Sequence, residues 1–254
     1  MTTKRIIGVV NIKNGQAVQS YGYQKYLPIG SPKIIVQNLD RWGADEILIN
    51  AFDRSNNKIG PDFQLIKEIN SLRIKTPIIY GGGIRNLQDA SRVISLGADR
   101  ILIENLIYLN LDEFKEISEI IGSQSIIISL PVNSSQNKKI LIYERISKKL
   151  DYMNDNFKEA LDNELASEIL LIDYLNEGYY DKFNINIINL LKNINLPLIC
   201  FGGISSSNKI KKIIKKKNIN AIAIGNSLNY KEISIQLLKK DLISKKFRKP
   251  IFGK

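Results

Sequence analysis

Short apolar runs alternate with helix-patterned stretches along most of the chain. From Pro77 to Asn105 (PIIYGGGIRNLQDASRVISLGADRILIEN) the alternation is clearest. Ile78 to Tyr80 reads as a buried strand. Gly81, Gly82 and Gly83 then demand a sharp turn or a close backbone approach. Asn86 opens a helix as its N-cap, with Asp89 three residues on as its partner. Leu87, Ala90, Val93, Ile94 and Leu96 supply the buried face of that helix. Gly97 stops it, and Arg100 to Ile103 form the next strand. A glycine turn feeding a helix N-terminus can hold a phosphate through backbone N–H groups, or it can simply permit a tight corner.

The unit occurs twice. Pro197 to Asn226 repeats the order proline, apolar strand, Gly-Gly-Ile, polar cap, helix, strand. GADEILIN at Gly43 is likewise matched by LASEILLI at Leu165. Repeats about half a chain apart predict two similar halves. Four strand–helix pairs per half make a single closed (β/α)8 TIM barrel of α/β class. It occupies residues 1–254, with half-barrels of about 1–122 and 123–254.

In order, strands are expected at Arg5–Asn11, Glu46–Asn50, Ser125–Leu130 and Glu168–Ile172. Helices are expected at Pro32–Trp42, Pro61–Arg73, Leu111–Ile121, Asn154–Ala166, Asn184–Ile194 and Tyr230–Lys246. Ile12–Ile29 reads as a polar loop. Val132–Asp151 reads as a polar insertion with one alternating run, Ile140–Tyr143, placed at the C-terminal rim where barrel sites are built.

Composition narrows the chemistry. The 254 residues are 44% apolar and contain no histidine and one cysteine. His triads and His metal ligands are therefore excluded, no metal site is expected, and acid–base work would fall to carboxylates, Lys or Tyr. Cys200 lies in an apolar strand and reads as core. No run is long enough to span a bilayer and no signal peptide opens the chain, so a cytoplasmic protein is expected. The net charge of +12 gathers at Lys209–Lys217 and Lys239–Lys246, read as outward helix faces. No aromatic–basic interleaving accompanies it, so nucleic acid is not expected as a partner.

KRII at Lys4, the Lys13–Gly15 triplet, GADEI at Gly43, GGGIR at Gly81, GAD at Gly97 and the later GGI together resemble the cyclase subunit of imidazole glycerol phosphate synthase, in register from about residue 4 to 235. The resemblance implies a barrel that takes ammonia from a glutaminase docked at its N-terminal face, with no cofactor. It also implies a general acid and base at positions that here hold Asn11 and Pro131, neither of which moves a proton. A loop lysine of the family falls on Gln19, a second-strand aspartate on Ala51, and a phosphate-binding asparagine on Glu104. The phosphate cradles map to Gly82 and Gly83, and to Gly178, Gly202, Gly203, Gly225 and Asn226. The charged mouth of the family's ammonia tunnel maps to Arg5, Glu46, Arg100 and Glu168.

These residues lead to the expectation of an ammonia-relaying paralogue without cyclase activity. It resembles barrels from surface-polysaccharide loci that serve an ATP-using sugar amidotransferase, most closely at NNKIGPDFQLIKEI. Two alternatives stand beside it. One is an active cyclase using Asp53, Glu104, Asp173 or Glu177 as substitute carboxylates; the other is a non-catalytic phosphate-binding scaffold.

Overall fold

The computed structural model describes residues 3–57, 59–134, 140–144, 149–242 and 246–249. The chain runs through β1 (Arg5–Lys13), β2 (Gln16–Tyr21), β3 (Lys25–Gly30), α1 (Pro32–Arg41), β4 (Glu46–Asn50), α2 (Phe52–Asn56), α3 (Phe63–Asn70), β5 (Ile78–Gly81), α4 (Leu87–Ser95), β6 (Arg100–Ile103), α5 (Asn105–Leu109) and α6 (Leu111–Ile121). It continues through β7 (Ile126–Ser134), β8 (Ile140–Glu144), β9 (Lys149–Tyr152), α7 (Asp155–Asp162), β10 (Glu168–Asp173), α8 (Asn186–Leu190), β11 (Leu198–Phe201), α9 (Ser207–Ile213), β12 (Ile219–Ile224) and α10 (Ser234–Asp241).

Strands β1, β4, β5, β6, β7, β10, β11 and β12 pair in parallel, each with the next, and β12 returns to β1. The eight-stranded (β/α)8 barrel expected from the repeats is therefore present. Strand periodicity divides the core in two. Ile6, Ile47, Ile101, Ile128 and Leu171 pack outward against the helices. Ile7, Val9, Leu48, Leu102, Ile127 and Leu170 belong to a separate cluster that fills the barrel's inside.

The repeated motifs have a common structural reason. Gly43 and Gly97 end α1 and α4 at φ +80 and +112, and the aspartate two residues on fastens the start of the preceding strand. Asp45 Oδ2 accepts the Ile6 amide at 2.7 Å, and Asp99 Oδ2 accepts the Ile78 amide at 2.7 Å. The expected cap on α4 is also present, with Asn86 Oδ1 accepting the Asp89 amide at 2.8 Å.

Five expectations need correction. The stretch Ile12–Ile29 is a hairpin rather than a loop, since β2 pairs with both β1 and β3. The described parts of the polar insertion are strand too, residues 135–139 and 145–148 lying outside the described residues: β7 runs on through Pro131 to Ser134 and pairs antiparallel with β8, which pairs with β9. The second helix starts at Phe63 rather than Pro61, because Asp62 caps it by accepting the Leu65 amide at 3.0 Å. The closing helix begins only at Ser234, after a 3-10 turn at Asn226–Tyr230 and Ile233 in the left-handed region. Within it Lys239 is buried rather than outward, donating to Asp45 Oδ1 and Gly43 O at 2.8 Å each.

Candidate functional site

At the base of the barrel, Arg5, Glu46, Arg100 and Glu168 open β1, β4, β6 and β10. Because their side chains share the inward register, all four meet. Arg5 Nη1 donates to both Glu46 oxygens at 2.9 and 2.8 Å, and its Nη2 donates to Glu168. Arg100 Nη1 donates to Glu168 Oε2 at 2.7 Å and, at 3.5 Å, to Glu46 Oε1. The circuit of alternating charges is closed, and its side chains are only 7–13% exposed. Two cations balance two anions, which is how charges persist in so dry a place. Burial nevertheless pushes the Glu46 carboxyl above its ordinary range, against the pull of Arg5 and Arg100. Ser167, on the turn before β10, holds Arg100 Nη2 at 2.6 Å.

Above the ring each inward column changes character. It reads Arg5–Ile7–Val9–Asn11 on β1, Glu46–Leu48–Asn50 on β4 and Arg100–Leu102–Glu104 on β6 and just beyond it. The barrel's inside is thus charged at the base, apolar in the middle and polar at the mouth.

The mouth is bridged by the hairpin of β2 and β3. Asn226 Oδ1 accepts the Ser20 amide at 3.1 Å, while its Nδ2 donates to Ser20 O at 2.7 Å. Glu177 accepts Ser20 Oγ at 2.8 Å and Asn11 Nδ2 at 3.3 Å, and Asn50 Nδ2 donates to Asn11 Oδ1 at 2.8 Å. From the other side, Tyr143 on β8 stacks on Tyr174, with ring centroids 4.5 Å apart and planes at 9°. Sequence reasoning missed Ser20, Tyr143 and Tyr174. Antiparallel pairing brings Ser20 and Tyr143 to the mouth, and Tyr174 reaches it from the 3-10 turn just after β10. Gln19 lies buried on the hairpin and Ala51 is buried just after β4.

The two glycine turns adopt nearly the same backbone, with φ +126 and +75 at Gly82 and Gly83 and φ +104 and +73 at Gly202 and Gly203. A Cβ at Gly82 would stand 2.1 Å from Ala51 O, and one at Gly202 would stand 2.5 Å from Asp173 O. The positive φ values and the close approach both require glycine. Gly178, Gly202, Gly203, Gly225 and Asn226 line one small pocket with Ser227, whose Oγ is buried without a partner among the described residues. The Asn226 side chain itself is spent on the hairpin. At the first turn, Ser55 Oγ takes the Gly83 amide at 3.0 Å, and Glu104 Oε2 takes Ser129 Oγ at 2.6 Å.

Among the substitute carboxylates, Asp53 accepts the Asn14 amide at 2.7 Å. Asp173 accepts Asn176 Nδ2 at 2.8 Å and the Asn184 amide at 2.7 Å, and burial raises its pKa. Both hold loops. Glu177 touches a position to which the resemblance assigns proton transfer, accepting from Asn11 Nδ2.

A family model described as "Histidine biosynthesis protein" matches residues 5–234. The chain belongs to the histidine biosynthesis protein family. Among its relatives in this family, imidazole glycerol phosphate synthase subunit HisF of Methanococcus vannielii is 27% identical over 266 residues, covering 95% of this chain and 97% of that protein. The subunit of the same name from Leptospira biflexa is 28% identical over 251 residues, covering 94% and 95%. That from Clostridium botulinum (strain Alaska E43) is 24% identical over 251 residues, covering 97% and 98%.

The chain thus spans nearly the whole length of these relatives named as HisF subunits of imidazole glycerol phosphate synthase. Among its described residues, no group of three or more His, Cys, Asp or Glu could hold a metal ion. None of its described helices is long and apolar enough to cross a membrane.

Proposed function

We propose that this member of the family relays ammonia instead of performing the cyclase reaction. A glutaminase at the base would supply the ammonia, and a separate amidotransferase would consume it. The observation that carries the reading is the closed ring Arg5–Glu46–Arg100–Glu168 beneath an apolar barrel interior. At the other end, the two positions assigned to acid and base hold an amide and a proline. An apolar passage favours neutral ammonia over ammonium, because a charge left without partners in such a place is strongly disfavoured. The ring would act as its gate, and the seam between Arg100 and Glu46, 3.5 Å long, is the link that parts first. The acceptor assigned here is a sugar of a surface polysaccharide, supported by the resemblance of the segment after β4. The pocket at Gly202 and Gly203, where the Ser227 hydroxyl has no partner among the described residues, supports an anion site on the same face.

The test is glutamine-dependent amidation by the purified glutaminase, barrel and amidotransferase. Omitting the barrel is expected to abolish product from glutamine and to leave product from added ammonium salts intact. Unchanged glutamine-dependent product without the barrel rules the relay out.

One observation favours a second reading. Glu177 lies 3.3 Å from Asn11, so a carboxylate stands beside the lost acid–base position and could serve an active cyclase. Growth of a cyclase-deficient strain on medium without histidine, restored by this chain and lost in Glu177→Gln, would decide for it.

A further inference from the structure

We propose that the outer wall formed by α8 and α9 is a docking face for an anionic phospholipid bilayer. The inference stands apart from the relay reading and starts from the uneven spread of charge. Residues 1–181 carry 21 Lys and Arg against 23 Asp and Glu, whereas residues 182–254 carry 16 against 2. Between Asp181 and Glu232 there are nine lysines and no Asp, Glu or Arg. Such asymmetry within one chain points to a polyanionic partner. A general enrichment in lysine does not account for it, because basic residues in the rest of the barrel are matched by acids.

The fold gathers these lysines onto one surface. Ile210 and Ile213 of α9 are buried against the barrel, which leaves Lys211, Lys212, Lys215 and Lys217 exposed. Helix α8 lies alongside: Lys216 Nζ donates to Asn189 Oδ1 at 3.5 Å, and Asn218 Nδ2 donates to Ile194 O at 3.4 Å. Lys192, just beyond α8, is exposed as well. Among the described residues the lysines in ion pairs are Lys33, Lys115, Lys158 and Lys239, and none of them stands on this wall.

The chemistry of the face selects its occupant. From residue 182 to residue 229 no large apolar side chain is exposed. The wall therefore lacks the aromatic and aliphatic anchors of a protein interface and the stacking platform of a single-stranded nucleic-acid site. Its cations are all lysines, hydrated point charges on flexible stems, not the planar forks that read phosphate geometry. Attraction to a dense anionic plane is what remains, as for polybasic clusters at phospholipid surfaces. The apolar side of α9 is spent on the core, so the helix rests on headgroups without inserting.

The experiment sediments the full-length chain with phosphatidylcholine vesicles, with and without about 30% phosphatidylglycerol. Binding is expected on the anionic vesicles alone, falling steeply between about 50 and 300 mM KCl as screening shortens the reach of charge. The combined variant Lys211→Gln, Lys212→Gln, Lys215→Gln, Lys217→Gln should bind at least about tenfold more weakly. A matched variant, Lys67→Gln, Lys75→Gln, Lys149→Gln, Lys158→Gln, removes the same charge from exposed positions elsewhere. It should stay within about twofold of the wild type, since those charges lie beyond the screening length from the bilayer. Thermal melts of both variants check that each is folded. No binding to the anionic vesicles, or equal losses in the two variants, would overturn the proposal. Tighter binding to polyuridine or polyglutamate at equal anionic charge would also overturn it, assigning the wall to a nucleic acid or an acidic protein.

Discussion

Arg5 gives one guanidinium nitrogen to each of two carboxylates, and the pH response of that arrangement can be worked out from Glu46. Desolvation raises its folded pKa above the ordinary 4.5 despite the two arginines. The folded chain therefore binds this proton more readily than the unfolded chain does. The stability contributed by Glu46 is full below about pH 4.5 and is lost as pH rises through the raised value. Mild acid should thus favour the fold at this residue. Thermal melts of wild type and Glu46→Gln should show a wild-type advantage that is greater at pH 5 than at pH 7.5; the opposite order would refute the assignment. Lys239 makes a related point. Its pair with Asp45 is nearly dry, at 1% and 6% side-chain exposure. Lys239→Ala leaves a buried carboxylate uncompensated and is expected to cost about 3–5 kcal/mol. Lys211→Ala, on an exposed face of α9, should stay within about 0.5 kcal/mol. Chemical denaturation distinguishes the two, and equal effects would mean that Lys239 is solvated after all. Nothing in the sequence separated these two lysines, because the partner Asp45 lies 194 positions away.

At the scale of elements, the hairpin of β2 and β3 behaves as a clasp. Asn226 holds both backbone groups of Ser20, Glu177 O takes the Gly22 amide at 2.9 Å, and Tyr21 and Tyr230 share a hydroxyl contact of 2.9 Å. Asn226→Ala removes the central pair and leaves Ser20 groups buried without partners, a loss of about 1–3 kcal/mol. Hydrogen exchange should then quicken across residues 16–30 and stay unchanged in β4 and β5. Uniform protection in the variant would show that the clasp lies elsewhere. Helices and barrel strands were legible because apolar period and glycine punctuation mark them locally. The hairpin was not. Its residues, GQAVQSYGYQKYLPIG, mix glycine, tyrosine and polar groups in a way that reads as a loop, and only pairing with β1 makes them strand. The same holds for β8 and β9, where one alternating run was visible but its partner was not.

For the whole molecule, the repeat carried the fold. Two Gly-Gly-Ile turns and a matched strand start predicted the barrel, and the two turns do adopt nearly the same φ values. The site was legible to a lesser degree. That four charges open four strands could be read, yet that they close into one circuit depends on strands sharing an inward register around a closed sheet. The mouth was the least legible part, because its occupants come from segments 157 and 166 positions apart.

The backbone of β7 does not break at Pro131. It keeps parallel register with Ile172 at that point and turns to its antiparallel partner only at Val132. Asn11 on β1 and Pro131 on β7 thus sit on unbroken strands, where exchange to aspartate would set carboxylates without any refolding of the frame.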